Sequence, residues 1–241
     1  MSYGTLYLIP TTLGEGGSVA AALTPEALAL AARLDAWVVE NAKSARAFLA
    51  AVGAVTPLAR PMRDIAMSTL DVATPDAQLP ALLAPLLAGQ DMGLVSEAGC
   101  PAVADPGARL VRLAHEHGIR VHPVIGPSSP LLALMASGLN GQSFAFNGYL
   151  PTEAGARAAR IGELEAHSRK ERQTQLFIET PYRNAALFDA LVQRLSPDTL
   201  LCVAIDLSLP GEMVQTRSVR AWRKTPAPEM RKRPAVFLFL A

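Results

Sequence analysis

Apolar positions along the first half of the chain alternate between two periods, and each change of period marks an element. Thr5–Pro10 (TLYLIP) is a short apolar run closed by proline and predicts a strand. Thr24-Pro25-Glu26 then opens a helix: a capping hydroxyl, proline at the first helical position and an early acid. Leu28, Ala31 and Ala32 follow at helical spacing. Ala36–Val39 (AWVV) predicts a second strand, and Asn41 caps a helix reaching about Val52 with Ala45, Phe48, Leu49 and Val52 on one face. Residues 76–88 read as a Leu/Ala-rich helix that Pro80 and Pro85 shorten or kink. Met92–Ser96 predicts a strand, Asp105-Pro106-Gly107 a helix start running to about His117 with Gly118 ending it, and Arg120–Ile125 a further strand. An apolar helix follows at 128–137.

The second half changes rhythm. After Phe144–Phe146, Asn147-Gly148-Tyr149-Leu150-Pro151 reads as a turn-rich boundary before a polar helix at 155–171. Strand 174–178, helix 182–195 and strands 199–205, 212–218 and 234–240 complete the pattern. The fold class is α/β, with a largely parallel N-terminal sheet and a mixed C-terminal sheet. The expected domains are 1–125 and 126–241.

Composition narrows the function. Of 241 residues, 50% are hydrophobic and 18% charged, which suits a folded chain of one large or two modest domains. Two distant cysteines exclude a disulfide scaffold and a four-cysteine zinc site, and no metal is expected; a reducing, cytoplasmic setting fits. The start MSYGTLYLIPTTLG lacks a charged n-region before a long apolar stretch, so no secretory leader is expected, and no apolar run is long enough to span a membrane. Charge is uneven. Residues 1–100 hold 5 Lys/Arg and 9 Asp/Glu, while 101–241 hold 17 and 12. The second half is therefore the better source of contacts to an anion.

Candidate chemistry gathers where predicted parallel strands end. The first strand runs into Pro10-Thr11-Thr12-Leu13-Gly14, the one at 92–96 into Glu97-Ala98-Gly99-Cys100-Pro101, and the one at 120–125 into Gly126-Pro127-Ser128-Ser129. In open α/β sheets ligands bind at that edge, and Gly and Pro let a rigid backbone approach closely. Neither the dinucleotide nor the P-loop fingerprint is present, which disfavours NAD and ATP. Cys100 reads as a small buried thiol rather than a nucleophile, and His115 and His117 do not share a helix face.

Six ordered segments carry a resemblance: LYLIPTTLGE (6–15), VENAK (39–43), SEAGCPAVADPG (96–107), VHPVIGPSS (121–129), FNGYLP (146–151) and IETPYR (178–183). Together they resemble the tetrapyrrole methylase superfamily of S-adenosylmethionine-dependent methyltransferases. Within it they are most similar to the bacterial 16S rRNA ribose 2′-O-methyltransferases. The family pattern departs at Glu40-Asn41-Ala42-Lys43, where an acid-Asp-Thr-Arg motif stands in relatives, and at Ile205–Leu209, where two basic residues are replaced. The rRNA enzymes also carry a C-terminal extension past the 234–240 strand.

The resemblance implies a homodimer of two-domain chains with S-adenosylmethionine in the cleft between the domains. From the first domain Pro10, Thr11, Leu13, Gly14, Glu97, Ala98, Gly99, Pro101, Ser128 and Ser129 would hold it; from the second, Ile178, Glu179, Thr180, Ile205, Asp206 and Pro234. Glu40, Glu97, Glu179 and Asp206 are the carboxylates that could serve as a base, and Lys43 and Arg183 are candidates for orienting an anionic substrate. Glu97 suits a hydrogen bond to the cofactor better than catalysis. Three readings stay open: methylation of a ribose hydroxyl in RNA, methylation of a tetrapyrrole-like small molecule, and a binding protein without turnover. A basic segment (Arg217, Arg220, Arg223, Lys224, Arg231, Lys232, Arg233) could meet phosphates or carboxylates, or be a solvated sheet edge.

Overall fold

Strict alternation of side chains along short strands decides how the first sheet is covered, and the computed structural model, which describes residues 2–241, shows both of its faces buried. The chain divides into two units, one ending at Ser128 and the other spanning Ser129–Ala241, against the expected division after residue 125.

The first unit contains β1 (Thr5–Leu8), α1 (Val19–Ala22), α2 (Pro25–Arg33), β2 (Ala36–Val39), α3 (Ala42–Val55), β3 (Ala66–Thr69), α4 (Leu79–Leu82), α5 (Ala84–Leu87), β4 (Met92–Val95), α6 (Gly107–Glu116) and β5 (Arg120–Pro123). The strands form one parallel sheet in the order β3-β2-β4-β1-β5. Ile9, Trp37, Val39 and Val95 face α1, α2 and α3, while Leu6, Val38, Met92 and Leu94 face α4, α5 and α6. Trp37 donates its indole N–H to Leu34 O (3.2 Å) and lies across Gly93 of the neighbouring strand. A methyl group on Gly93 would stand 2.5 Å from Trp37 Cε3, so only glycine fits beneath the ring.

Two features of this unit differ from the sequence reading. No strand is expected at 66–69, yet β3 pairs there with β2. It is an edge strand whose Ala66, Ser68 and Thr69 are exposed, so it carries no apolar signal. Residues 76–88 are not one helix but a 3₁₀ turn at Asp76–Gln78 followed by α4 and α5, which meet at Leu83. Pro80 and Pro85 each sit in a first helical turn, where a missing N–H leaves no hydrogen bond unmade.

The second unit contains α7 (Ser129–Ser137), β6 (Phe144–Tyr149), α8 (Ala154–Glu171), β7 (Thr174–Ile178), α9 (Asn184–Arg194), β8 (Leu200–Ile205), β9 (Met213–Ser218), α10 (Val219–Trp222) and β10 (Ala235–Leu240). Its sheet runs β6-β7-β10-β8-β9; β6 and β7 are parallel and the remaining pairs antiparallel, so the sheet is mixed. Phe177, Val203, Ile205, Phe237 and Phe239 form a core with α8, α9 and α10. α7 packs on β8, β9 and β10, and Thr216 Oγ1 donates to Ser137 O (2.7 Å).

The expected turn at Asn147-Gly148 is instead inside β6. The register shifts between Phe146 and Tyr149, a bulge that accommodates a turn-forming pair within a strand. Asn147 Nδ2 pins the bulge to Gln175 Oε1 (3.0 Å) and Leu176 O (3.3 Å).

Candidate functional site

The strand order fixes where a ligand can enter the first unit. β1 and β4 are neighbours, but β1 leads into α1 and α2 on one face of the sheet, and β4 leads into α6 on the other. Their carboxyl ends therefore flank a topological switch point, where the departing loops leave an opening.

Short backbone bonds tie the loops at this edge. Thr11 N–H donates to Gly99 O (2.9 Å) and Gly99 N–H to Thr12 O (3.2 Å), so the β1 and β4 loops pair beyond the sheet. Cys100 Sγ donates to Pro127 O (3.3 Å), which adds the loop after β5. Gly126 lies so close to the Pro10 ring that a Cβ there would stand 2.2 Å from Pro10 Cγ. In the β4–α6 loop Ala102 (φ 67°) and Ala104 (φ 61°) hold left-handed conformations that cost an L-residue about 1–2 kcal/mol each. Strain of this kind concentrates at functional sites.

The edge is acidic. Glu40, at the end of β2, accepts the Glu97 N–H on Oε2 (3.2 Å). Burial pushes the Glu40 carboxyl above the ordinary range; the Glu97 N–H opposes this, and the charges of Asp105, Glu97 and Asp71 add to it. Asp105 is also raised by burial. Its Oδ1 accepts the Gly107 N–H (2.7 Å), while Oδ2 is buried with no hydrogen-bond partner. Burial holds the Cys100 thiol up as well, so at neutral pH it is a weak donor to carbonyls and not a thiolate.

Of the first-unit residues named from the sequence, Pro10, Thr11, Leu13, Gly99 and Pro101 are buried, Gly14 and Ser128 half-buried, and Glu97 and Ala98 exposed. The loops bring these together at one edge. Lys43 is exposed in the first turn of α3, its backbone N–H accepted by Asn41 Oδ1 (2.9 Å).

In the second unit, antiparallel pairing sets the ends of β7 and β8 beside the start of β10: Val236 pairs with Ile178 and Ala235 with Ile205. Ile178, Glu179, Thr180, Ile205, Asp206 and Pro234 accordingly share one sheet edge. Ser129 opens α7. Glu179 is buried, and its Oε1 accepts from Thr180 N (2.7 Å), Arg183 Nε (3.0 Å) and Arg183 Nη2 (2.6 Å). Arg183 is therefore held by Glu179 on one side and partly open to solvent on the other. Asp206 (φ 51°) accepts from Arg233 Nε on Oδ2 (2.7 Å) and donates its N–H to Pro234 O (3.0 Å).

Arg233 is a residue that sequence reasoning misplaced. Counted in a basic surface segment, it instead clamps Asp206, Gly211 O (2.6 Å) and Glu229 O (2.8 Å). The same correction applies to much of that segment. Arg217 lies over the Trp222 ring (5.1 Å), Arg220 pairs with Asp198, and Arg223 donates to Val192 O and Leu195 O at the end of α9. Among the described residues, Lys224, Arg231 and Lys232 carry no ion pair. Asp105 was read only as part of a helix start; its buried second oxygen has no signature in Asp-Pro-Gly.

A parallel α/β unit whose loops meet at a switch point, followed along the chain by a mixed-sheet unit, places the chain among two-unit α/β proteins with a ligand edge on the first sheet. Residues 5–220 match the family model of the Tetrapyrrole (Corrin/Porphyrin) Methylases. Over 237 residues the chain is 31% identical to a Xylella fastidiosa protein named Ribosomal RNA small subunit methyltransferase I, covering 98% of this chain and 81% of that protein. Over 142 residues it is 42% identical to a Mesorhizobium japonicum protein of the same name, covering 59% of this chain but only 47% of that relative's length. Among solved structures, the methyltransferase CobJ (TM-score 0.62, 18% identity, 100% of this chain and 94% of that one) and the uroporphyrin-III-C-methyltransferase of Thermus thermophilus (TM-score 0.54, 20% identity, 98% and 92%) share the fold. The chain belongs to the tetrapyrrole methylase family and is a methyltransferase that requires a methyl donor.

Proposed function

We propose that the chain transfers a methyl group from S-adenosylmethionine to a ribose hydroxyl of an RNA. The observation that carries the donor is the cross-tied edge of the first sheet, where Thr11–Gly99, Cys100–Pro127 and the Gly126–Pro10 contact fix three loops around the switch point. The chemistry of that edge fits the group. Glu40 and Asp105 supply carboxyl oxygens at that edge, which would suit a ligand that carries a positive charge. The relatives named Ribosomal RNA small subunit methyltransferase I, one of them matched over 98% of this chain and 81% of its own length, support the acceptor.

S-adenosylmethionine supplies an already activated sulfonium methyl, so the protein's task is alignment. Pro10, Thr11, Leu13, Gly14, Ala98, Gly99, Pro101 and Ser128 would hold it with a backbone that needs no rearrangement, and Glu97 would accept from its hydroxyl or amino groups. Ser129 and the second-unit residues Ile178, Glu179, Thr180, Ile205, Asp206 and Pro234 are further contacts on the strength of the resemblance. Transfer to a hydroxyl releases one proton, and Glu40, whose proton affinity burial raises, would take it. Lys43 and Arg183 would steady the phosphates of the acceptor.

A cytoplasmic location goes with this substrate, and no helix among the described residues is long and apolar enough to cross a membrane. A homodimer is part of the proposal, supported by α7, whose Leu131 and Met135 stay exposed on an otherwise apolar helix. A sedimentation mass near one chain would refute it.

The deciding experiment pairs calorimetry with labelled transfer. Folded protein should bind S-adenosylmethionine or its demethylated product, and label should pass into 16S ribosomal RNA. Absence of binding would overturn the donor, and label appearing only in a small-molecule extract would overturn the acceptor.

A further inference from the structure

Two segments of the second unit run side by side at the start of α9. The Lys232 N–H donates to Pro181 O (3.2 Å), and Asn184 Nδ2 donates to Arg233 O (2.7 Å). Between these ties the turn presents Tyr182, which is 80% exposed. Arg183 follows it, half open to solvent beyond its bond to Glu179. Across the ties, Arg231 and Lys232 are exposed and, among the described residues, without an ion pair, while Arg233 turns inward to Asp206.

Lys232 also sits at φ 59°, a conformation that glycine adopts freely and a lysine does not. A lysine held there, unpaired and in solvent, adds nothing to the fold that glycine would not improve.

An exposed aromatic ring with cations on either side matches one chemistry closely. Bases of an unpaired strand stack on the ring, and the flanking phosphates meet the cations. The first unit's edge, with Glu40, Asp71, Glu97 and Asp105 against the exposed Lys43, is mostly of the opposite charge and suits a phosphate chain less well.

We propose that Tyr182, Arg183, Arg231 and Lys232 form the surface that binds an unpaired nucleotide segment of the RNA acceptor. This rests on the RNA reading above and assigns a place to it.

The test measures binding of a labelled single-stranded RNA by fluorescence anisotropy across a salt series. The full chain is compared with Tyr182→Ala, Tyr182→Phe and Lys232→Gly, and each is also titrated with S-adenosylmethionine. Tyr182→Ala should weaken RNA binding by about tenfold, and Tyr182→Phe, which keeps the ring, by less than about twofold. Lys232→Gly should weaken RNA binding and lower the salt slope by about one, with a melting temperature equal to or above that of the parent. Donor affinity should not move.

Equal RNA affinity and slope in all four proteins would overturn this surface while leaving the RNA reading intact. No RNA binding by the parent chain, or its displacement by a uroporphyrin carboxylate, would overturn both. Loss of donor binding together with RNA binding would show the substitutions acting through the fold, and would overturn the surface.

Discussion

Gly126→Ala tests whether the switch-point loops are the donor site. The added Cβ would lie 2.2 Å from Pro10 Cγ and 2.3 Å from Pro10 Cβ. Carbon atoms rest at about 3.5–4.0 Å, so the two loops must part by more than about 1 Å. The Pro10 ring is buried and cannot swing aside. Displacement then reaches its neighbours: Ile9 N–H bonds to Leu94 O (2.9 Å), Thr11 N–H to Gly99 O, and Cys100 to Pro127. Overpacking of this kind costs about 1–3 kcal/mol. Taken from binding, that raises the Kd for S-adenosylmethionine by about 5- to 150-fold.

Gly93→Ala is the matched control. Its Cβ would meet Trp37 Cε3 at 2.5 Å, a comparable clash inside the sheet rather than at its edge. It should lower Tm by several degrees, roughly 2–4 °C per kcal/mol, and leave the Kd of the folded protein within about twofold. Calorimetric titration and thermal melts of both variants give the comparison. Gly126→Ala binding the donor as tightly as the parent would refute the reasoning, because the loops would then have moved without consequence.

Other outcomes follow from the same geometry. Glu40 has a carboxyl affinity raised by burial, so its folded form is favoured when protonated and loses stability as pH rises through the raised value. Glu40→Gln should therefore raise Tm by a degree or more near about pH 8, with the gain fading towards about pH 4, while methyl transfer falls; a gain that grows on acidification would contradict the sign. Cys100, held as a thiol by burial, should react with iodoacetamide at least about tenfold more slowly than free cysteine, and Cys100→Thr should keep donor binding by retaining a donor to Pro127 O. Arg233→Ala leaves the Asp206 carboxylate without its partner and two carbonyls without a donor. It should cost about 2 kcal/mol after allowance for the 29% exposure of the guanidinium. Adding Asp206→Asn should recover part of the loss in a urea melt, and a fully additive pair would show that the ion pair contributes nothing.

The sequence was most readable where local signals and burial agree. Thr24 caps α2 through the Ala27 N–H (3.1 Å), as Thr-Pro-Glu predicts, and the face carrying Ala45, Phe48, Leu49 and Val52 is the face α3 buries. The ends of β1 and β5 were legible because their apolar runs stop at Pro10 and Gly126, and that of β4 because its run stops at the polar pair Ser96-Glu97. What was hidden depends on partners distant in sequence. β3 has almost no apolar pattern because it needs only its pairing with β2, and the turn signal of Asn147-Gly148 was overridden by Gln175 and Leu176 of the adjacent strand.

Charge was the least readable quantity, because a count of cations does not say where their partners lie. Residues 101–241 carry a net +5, yet Arg223 closes the carbonyl end of α9 and Arg233 neutralises an aspartate 27 residues away. Ile205–Leu209 lacks the two basic residues of the related motif, and Arg233 now stands against Asp206 within that stretch. A cation brought from the approach to β10 thus serves the end of β8, where the local sequence shows only its loss. That ion pair sits beside the backbone bonds of Asp206 to Pro234 O and from Leu209 N–H, so side chain and backbone together hold Asp206 in its left-handed conformation. Among the described residues of the basic segment, Arg231 and Lys232 stay without an ion pair, and Lys232 is tied to the turn that carries Tyr182. A protein so near to neutral would recognise its acceptor through that one surface, not through a general attraction to nucleic acid.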